Sequence, residues 1–258
     1  MAKKWVKFPY ADAACRYEGP ALRKAWIRLH KGDAEPYPKD AAVADAWRHY
    51  HAGAFAQAVE IGRSAGGAGM NAAVKAQCIY AHHLEADTKA RLALFEEASR
   101  WAAEHRDRAP QDANAHYLYA YALGRYGQGI SVAKALAQGF GGKIRDALAT
   151  ALSLAPAHAE AAVAFGAYQA EVIDKVGAIV AGLTYGAKKD AALGYFASAA
   201  KLFPESPIVR IEQANGLILL FGKDRLDEAT RLYEVAAALP PADAMERLDV
   251  ELAKRELA

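Results

Sequence analysis

The chain has 258 residues, 53% of them hydrophobic, and a formal net charge of +2. A chain of this length can bury one or two sizeable cores, and so small a net charge predicts no general affinity for nucleic acid. Two cysteines are too few for a disulfide framework, so Cys15 and Cys78 are expected to be reduced thiols in a reducing compartment.

Alanine makes up about a quarter of the residues, which favours many closely packed helices over a β-sheet. The first residues carry no continuous apolar stretch typical of a secretory signal. The longest apolar candidate, residues 172–183, contains Asp174 and Lys175 and is too short to span a bilayer. We therefore expect an all-α protein without a membrane span, located in the cytoplasm.

Residues 1–39 are predicted to form a basic N-terminal cap segment. Residues 1–31 contain eight basic side chains, Lys3 and Lys4 among them, and two acidic ones. Its aromatic residues, such as Trp5 and Trp26, are expected to pack on the first helix pair. The alternative is that the segment contacts RNA, an acidic protein or lipid headgroups. Residues 31–39 contain two prolines and are predicted to be a linker.

A helical repeat domain is expected over residues 40–258. Hydrophobic periodicity and helix-stop residues predict a series of helices along the chain. Their expected positions are residues 20–30, 40–52, 54–64, 71–85, 87–108, 112–127, 130–138, 142–155, 159–182, 188–202, 207–221, 224–238 and 242–256.

An internal pattern repeats in the second half of the chain. A large apolar residue is followed by Ala three positions later and by Pro five positions after that, in Leu148–Ala151–Pro156, Phe196–Ala199–Pro204 and Tyr233–Ala236–Pro241. The helix before each copy carries a bulky residue followed by Gly, in Leu123–Gly124, Phe165–Gly166 and Asn215–Gly216. Gly and Ala allow two helices to approach closely, and Pro ends the second helix.

These residues resemble the tetratricopeptide repeat over 112–241, with an earlier unit around Gly53, Phe55 and Ala58. The resemblance implies a TPR-like α-solenoid of stacked antiparallel helix pairs. The prolines are 48 and 37 residues apart, more than the usual ~34, so long inserts are expected in residues 125–143 and 168–189. Residues 166–241 also resemble the regulator-of-microtubule-dynamics family, whose microtubule role does not follow from the pattern.

No catalytic residue, metal ligand or cofactor is predicted. Residues 139–143, Gly-Phe-Gly-Gly-Lys, lack the spacing of a phosphate-binding Walker loop and are expected to start a helix, with a weak anion site as the alternative. The pairs His49/His51 and His82/His83 do not place two ligands on one helical face. They are therefore expected to be solvated or core-edge histidines.

A candidate binding groove follows from the repeat register. Tyr117, Tyr121 and Arg125 lie four residues apart on one helical face. The corresponding positions of the next units supply Glu171, Arg210 and Gln213. Tyrosine and arginine are typical of residues that bind peptides, so the predicted function is a protein- or peptide-binding scaffold. The partner is unidentified, and a second copy of the chain, forming a homo-oligomer, is one candidate.

Two alternatives stay open. Tyr117 and Tyr121 could pack only between helices. The protein could instead bind a small molecule or a lipid-like ligand in a pocket at the inserted Gly-rich segments. An enclosed apolar cavity would favour that second function, and an open groove would favour the scaffold.

Overall fold

The computed structural model of the protein describes residues 5–10 and 15–258. Lys3 and Lys4 of the basic segment lie outside these residues. The described chain is all-helical, without a β-strand, as predicted. The helices are α1 (Pro20–Leu29), α2 (Ala41–His51), α3 (Phe55–Ala65), α4 (Gly69–His83), α5 (Thr88–Arg108), α6 (Ala113–Gln128), α7 (Val132–Ala137), α8 (Phe140–Leu154), α9 (Ala159–Val176), α10 (Ala178–Val180), α11 (Lys189–Leu202), α12 (Pro207–Phe221), α13 (Leu226–Ala238) and α14 (Ala244–Glu256).

Most helices begin and end near their predicted positions, but the continuous helix predicted over 159–182 was wrong. Helix α9 ends at Val176 because Gly177 adopts a positive φ of 79°, a conformation that suits glycine and interrupts a right-handed helix. The chain continues as the short α10 and a π-helical turn, Ala181–Tyr185. No helix among the described residues is both long enough and apolar enough to cross a membrane.

The helices form two layers. Helices α2, α4, α6, α9, α12 and α14, here called the inner helices, contact one another in that order, and α14 also contacts α2. The contacts between inner helices therefore close on themselves. Each of α3, α5, α8, α11 and α13 packs between two successive inner helices and makes up the outer layer.

The small residues of the repeat pattern lie at the contacts between these layers. Ala151, Ala199 and Ala236 are completely buried, as expected for alanines that allow two helices to approach closely. The buried ring of Phe196 lies against Gly166 of α9 and Gly216 of α12. A methyl group at Gly166 would come within 2.8 Å of this ring. Glycine on the inner helices thus makes room for a large outer-layer side chain.

Several inner helices begin at a side chain that accepts a hydrogen bond from the backbone of the first turn. Asp40 caps α2, Asp112 caps α6, Ser206 caps α12 and Asp243 caps α14. Helix N-terminal N–H groups have no partner within the helix, so each cap stabilises its helix by about 1 kcal/mol.

The N-terminal segment packs on the inner helices. Trp5 stacks on Tyr80 with ring centroids 3.9 Å apart, and Phe8 lies against Gly53. Trp26 is buried in a core that includes residues of α2, α4 and α14. Residues 31–39 carry Asp33 and Glu35 into the interior. The start of the chain is therefore joined to its last helix through one hydrophobic core.

Two glycine variants test the packing around Phe196. We expect Gly216→Ala to destabilise the protein by about 1–3 kcal/mol, because its methyl group overlaps the completely buried Phe196 ring. The control is Gly194→Ala on the exposed face of α11, where a methyl group meets open space. It should stabilise by about 0.5–1 kcal/mol, since alanine favours helix. Urea unfolding measures both, and equal stability of the two variants would contradict the packing.

Candidate functional site

A cavity of about 110 Å³, partly open to solvent, lies between inner helices. Helices α4, α6, α9, α12 and α14 all contribute side chains, and α8 adds Ile144 and Leu148. The wall combines aliphatic and tyrosine side chains with a few charged groups. This composition is typical of ligand-binding pockets.

Helix α6 supplies a line of large polar side chains. Tyr117, Tyr121 and Arg125 share one face because they are four residues apart, and all three line the cavity. The two tyrosine rings stack with centroids 6.0 Å apart, and the Arg125 guanidinium lies 5.3 Å from the centre of the Tyr121 ring. Tyr117 and Tyr121 therefore pack between helices and also face the cavity.

Arg125 forms an ion pair across the cavity. Its Nη2 donates to Oε1 of Glu212 at 2.7 Å, and Nη1 donates to Gln128 at 3.3 Å. Burial by itself would lower the pKa of Arg125, but the neighbouring Tyr121 and Glu212 raise it above its usual value. Burial also raises the pKa of Tyr121 to about 12. At neutral pH the guanidinium of Arg125 is therefore charged and the phenol of Tyr121 is neutral.

Of the six residues predicted to form a groove, the structure brings four together: Tyr117, Tyr121, Arg125 and Glu171 all line the cavity. Helix α12 is rotated relative to the predicted register, so Ile208 and Glu212 face the cavity. Arg210 instead donates to the carbonyl of Pro204 at 3.2 Å, and Gln213 lies one residue, about 100°, further around the helix from Glu212.

A buried lysine that the sequence analysis did not identify lies at the wall of this cavity. Lys75 Nζ donates to Asp33 at 2.6 Å and to Glu160 at 2.9 Å. Burial alone would lower the pKa of Lys75, but these two carboxylates raise it overall, so the ammonium stays charged. The pKa of Asp33 falls well below its usual value, because Lys75 and His30 outweigh the effect of burial.

A second buried cluster lies beside Asp33. The side-chain amides of Asn71 and Asn114 donate to Oε2 of Glu35 at 3.1 and 2.6 Å. Burial, together with the charges of Asp33 and Asp112, raises the pKa of Glu35 to about 8. Glu35 is therefore protonated at neutral pH.

Helix α14 reaches the cavity because polar contacts hold it against the first helices. Arg28 makes a bidentate ion pair with Glu246 at 2.7 and 2.9 Å. His51 Nδ1 lies 2.7 Å from Asp243, and His83 Nε2 lies 3.2 Å from Oδ1 of Asp249. These contacts place Met245 and Asp249 in the cavity wall.

Two buried polar atoms of the cavity wall have no hydrogen-bond partner. They are Oδ2 of Asp249 and the hydroxyl of Tyr168, in residues that are 1% and 7% exposed. Buried polar groups in proteins are nearly always paired, so an unpaired one calls for an explanation. Here both groups belong to residues that line the same cavity.

Lys75 could have been noticed from the sequence, because helix α4 contains no other Lys or Arg and no Asp or Glu. Asp249 carries no such signal, since six other residues of α14 are charged. Glu212 is one of two charged residues on α12, and the repeat register pointed to the other, Arg210. Compared with known proteins, the chain matches no family model and no curated protein.

Glu35 makes stability depend on pH. Its pKa is about 8 in the folded protein against an ordinary value of 4.5. Between pH 4.5 and pH 8 the folded state therefore keeps a proton that the unfolded chain has lost. The contribution of Glu35 to stability therefore falls as the pH rises through this window. We expect Glu35→Gln to match the parent near pH 4.5 and to exceed it by about 1–3 kcal/mol at pH 9.

Urea unfolding at pH 4.5, 7 and 9 measures this difference. Glu104→Gln, at a side chain that is 64% exposed, is the matched control and should follow the parent at every pH. A constant difference between Glu35→Gln and the parent across this range would contradict a protonated Glu35.

Proposed function

We propose that this chain is a binding protein without catalytic activity that holds a small molecule in the cavity between its inner helices. The observation that carries this proposal is the return of α14 to α2, which leaves a partly open cavity between the inner helices. The resulting space of about 110 Å³ is on the scale of the ~150 Å³ cavity that binds benzene in an engineered protein.

The same contacts support a TPR-like α-solenoid, in which each outer helix packs between two successive inner helices. In such a solenoid the inner helices form the concave face. A peptide scaffold needs this face open along its length, whereas here α14 covers part of it. This favours the small-molecule alternative, with the ligand at the concave face. The predicted inserts, residues 125–143 and 168–189, contribute Arg125, Gln128, Tyr168 and Glu171 to the cavity wall.

The chemistry of the wall supports binding over catalysis. The described residues that line the cavity include no Ser, Thr or Cys that could act as a nucleophile. Burial raises the pKa of the Cys78 thiol in α4 to about 12, so this thiol is not reactive at neutral pH. Tyrosines, aliphatic side chains and paired charges can instead orient a ligand.

Filling the cavity tests this function. Ala167 of α9 lines the cavity, and Ala149 of α8 is exposed outside it. A library of small fragments is screened by ligand-observed NMR against the parent, Ala167→Phe and Ala149→Phe. We expect at least one fragment to bind the parent and Ala149→Phe but to lose ten-fold or more in affinity with Ala167→Phe. If no bound fragment is sensitive to Ala167→Phe, the cavity is not a binding site.

A second candidate function, binding a protein partner, is favoured by an apolar surface on the two inserts. Ile179 and Leu183 are 79% and 85% exposed, and Val132, Leu136 and Val180 are also exposed. The inserts adjoin, because the Tyr185 ring lies against Gly141. Exposed apolar clusters of this kind mark interaction sites. Residues 131–143 and 174–189 contain the exposed charges Lys134, Lys143, Lys175, Lys188, Lys189 and Asp174.

This insert surface, apolar with a basic rim, suits a protein partner with an apolar and acidic face. Leu183→Glu should abolish capture of such a partner from lysate and its rebinding as a purified protein, measured by calorimetry. The control is Ile27→Glu, at a side chain on α1 that is also 85% exposed, and it should leave binding unchanged. Equal capture by the two variants would rule out the insert surface.

A further inference from the structure

The cavity wall contains more carboxylic acids than Lys and Arg side chains. Lys75 and Arg125 are its two strong cations, whereas Glu160, Glu171, Glu212 and Asp249 are carboxylic acids. Burial keeps the pKa of His82, another wall residue, well below its usual value, so this ring adds no positive charge at neutral pH. The wall therefore has more acidic groups than basic ones.

Both strong cations are already paired. Lys75 donates to Asp33 and Glu160, and Arg125 donates to Glu212. An anionic ligand would have to displace a carboxylate from one of them. The wall therefore offers an anion little free positive charge.

Two carboxylic acids, in contrast, form no ion pair with Lys75 or Arg125, whose ion-pair partners are Asp33, Glu160 and Glu212. Asp249 has only the imidazole of His83 at its Oδ1, and its Oδ2 has no partner. Glu171 accepts a hydrogen bond from the neutral amide of Gln128 near the solvent-facing side. Burial raises the pKa of both acids above their usual values. Lys175 and Arg125 offset part of this rise at Glu171, and His83 offsets part of it at Asp249.

The remaining wall suits an organic body. The rings of Tyr117, Tyr121 and Tyr168 line the cavity beside aliphatic side chains, and aromatic faces attract cations. The unpaired hydroxyl of Tyr168 can accept a further hydrogen bond. No three His, Cys, Asp or Glu side chains among residues 5–10 and 15–258 are grouped to hold a metal ion.

We infer that the cavity takes a small organic cation, a protonated amine on an apolar or aromatic body, whose N–H groups donate to Asp249 and Glu171. This inference rests on the proposed function and specifies the ligand class for the same site. An amine supplies the donors that Oδ2 of Asp249 lacks, and it balances the excess of carboxylates without breaking the existing ion pairs.

Three probes with the same ring but different charge test this inference: benzylamine, benzyl alcohol and benzoate. Binding to the full chain at pH 7.5 is measured by calorimetry and ligand-observed NMR. We expect benzylamine to bind at least ten-fold more tightly than the other two probes. Asp249→Asn and Glu171→Gln should each weaken benzylamine binding about ten-fold, because a charge-assisted hydrogen bond is lost, and should leave benzyl alcohol unchanged.

Asp174→Asn is the matched control, since it removes an exposed carboxylate one turn from Glu171 on the same helix. It should bind benzylamine like the parent. Glu171 is partly exposed, so its variant reports on binding even if Asp249→Asn does not fold. Benzylamine binding that is unaffected by Glu171→Gln, or weakened equally by Asp174→Asn, overturns the inference.

The outcomes separate this inference from the proposed function. If benzoate or benzyl alcohol binds as tightly as benzylamine and Ala167→Phe abolishes that binding, the cavity binds small molecules but the preference for cations is wrong. If Ala167→Phe does not weaken benzylamine binding, benzylamine binds outside the cavity. This result would contradict both proposals as far as benzylamine is concerned. If none of the three probes binds, the cation preference is overturned, and the fragment screen decides the proposed function independently.

Discussion

The buried ammonium of Lys75 is the interaction on which the interior of this protein depends. It joins three parts of the chain, because Asp33 belongs to the segment before α2, Lys75 to α4 and Glu160 to the first turn of α9. The backbone reinforces this junction, since the N–H of Glu160 donates to the carbonyl of Gly32 at 3.0 Å. Removing one partner of a buried ion pair typically costs about 3–5 kcal/mol, because the remaining charge is left uncompensated.

Hydrogen bonds continue from this junction to the other end of the chain. Asp33 contacts His30, His30 contacts His51, and His51 contacts Asp243 at the start of α14. Burial lowers the pKa of His30 to about 4, so its ring is neutral and can link two partners. The network therefore couples the position of α14 to the same buried charges that shape the cavity wall. Closure of the inner helices and formation of the cavity are consequences of one set of contacts.

The inner and outer helices contribute different side chains to the structure. The outer helices carry the alanines and aromatic rings that fill the space between layers, as Ala199 and Phe196 do. The inner helices carry the polar groups that face the cavity, as Tyr121 and Arg125 do. Some wall residues also contribute to packing, because Tyr117 and Leu148 belong to the buried core.

The all-helical fold, the helix positions and the small residues at the helix contacts could be predicted from the sequence, because these features follow from local periodicity and from residues that stop helices. The same periodicity placed Tyr117, Tyr121 and Arg125 on one face. Only the tertiary structure decided that α12 presents Glu212 and not Arg210 to the cavity, and that α14 returns to α2. Periodicity sets which residues share a face, but the rotation of a helix about its axis and contacts between residues some 200 positions apart depend on how all the helices pack together.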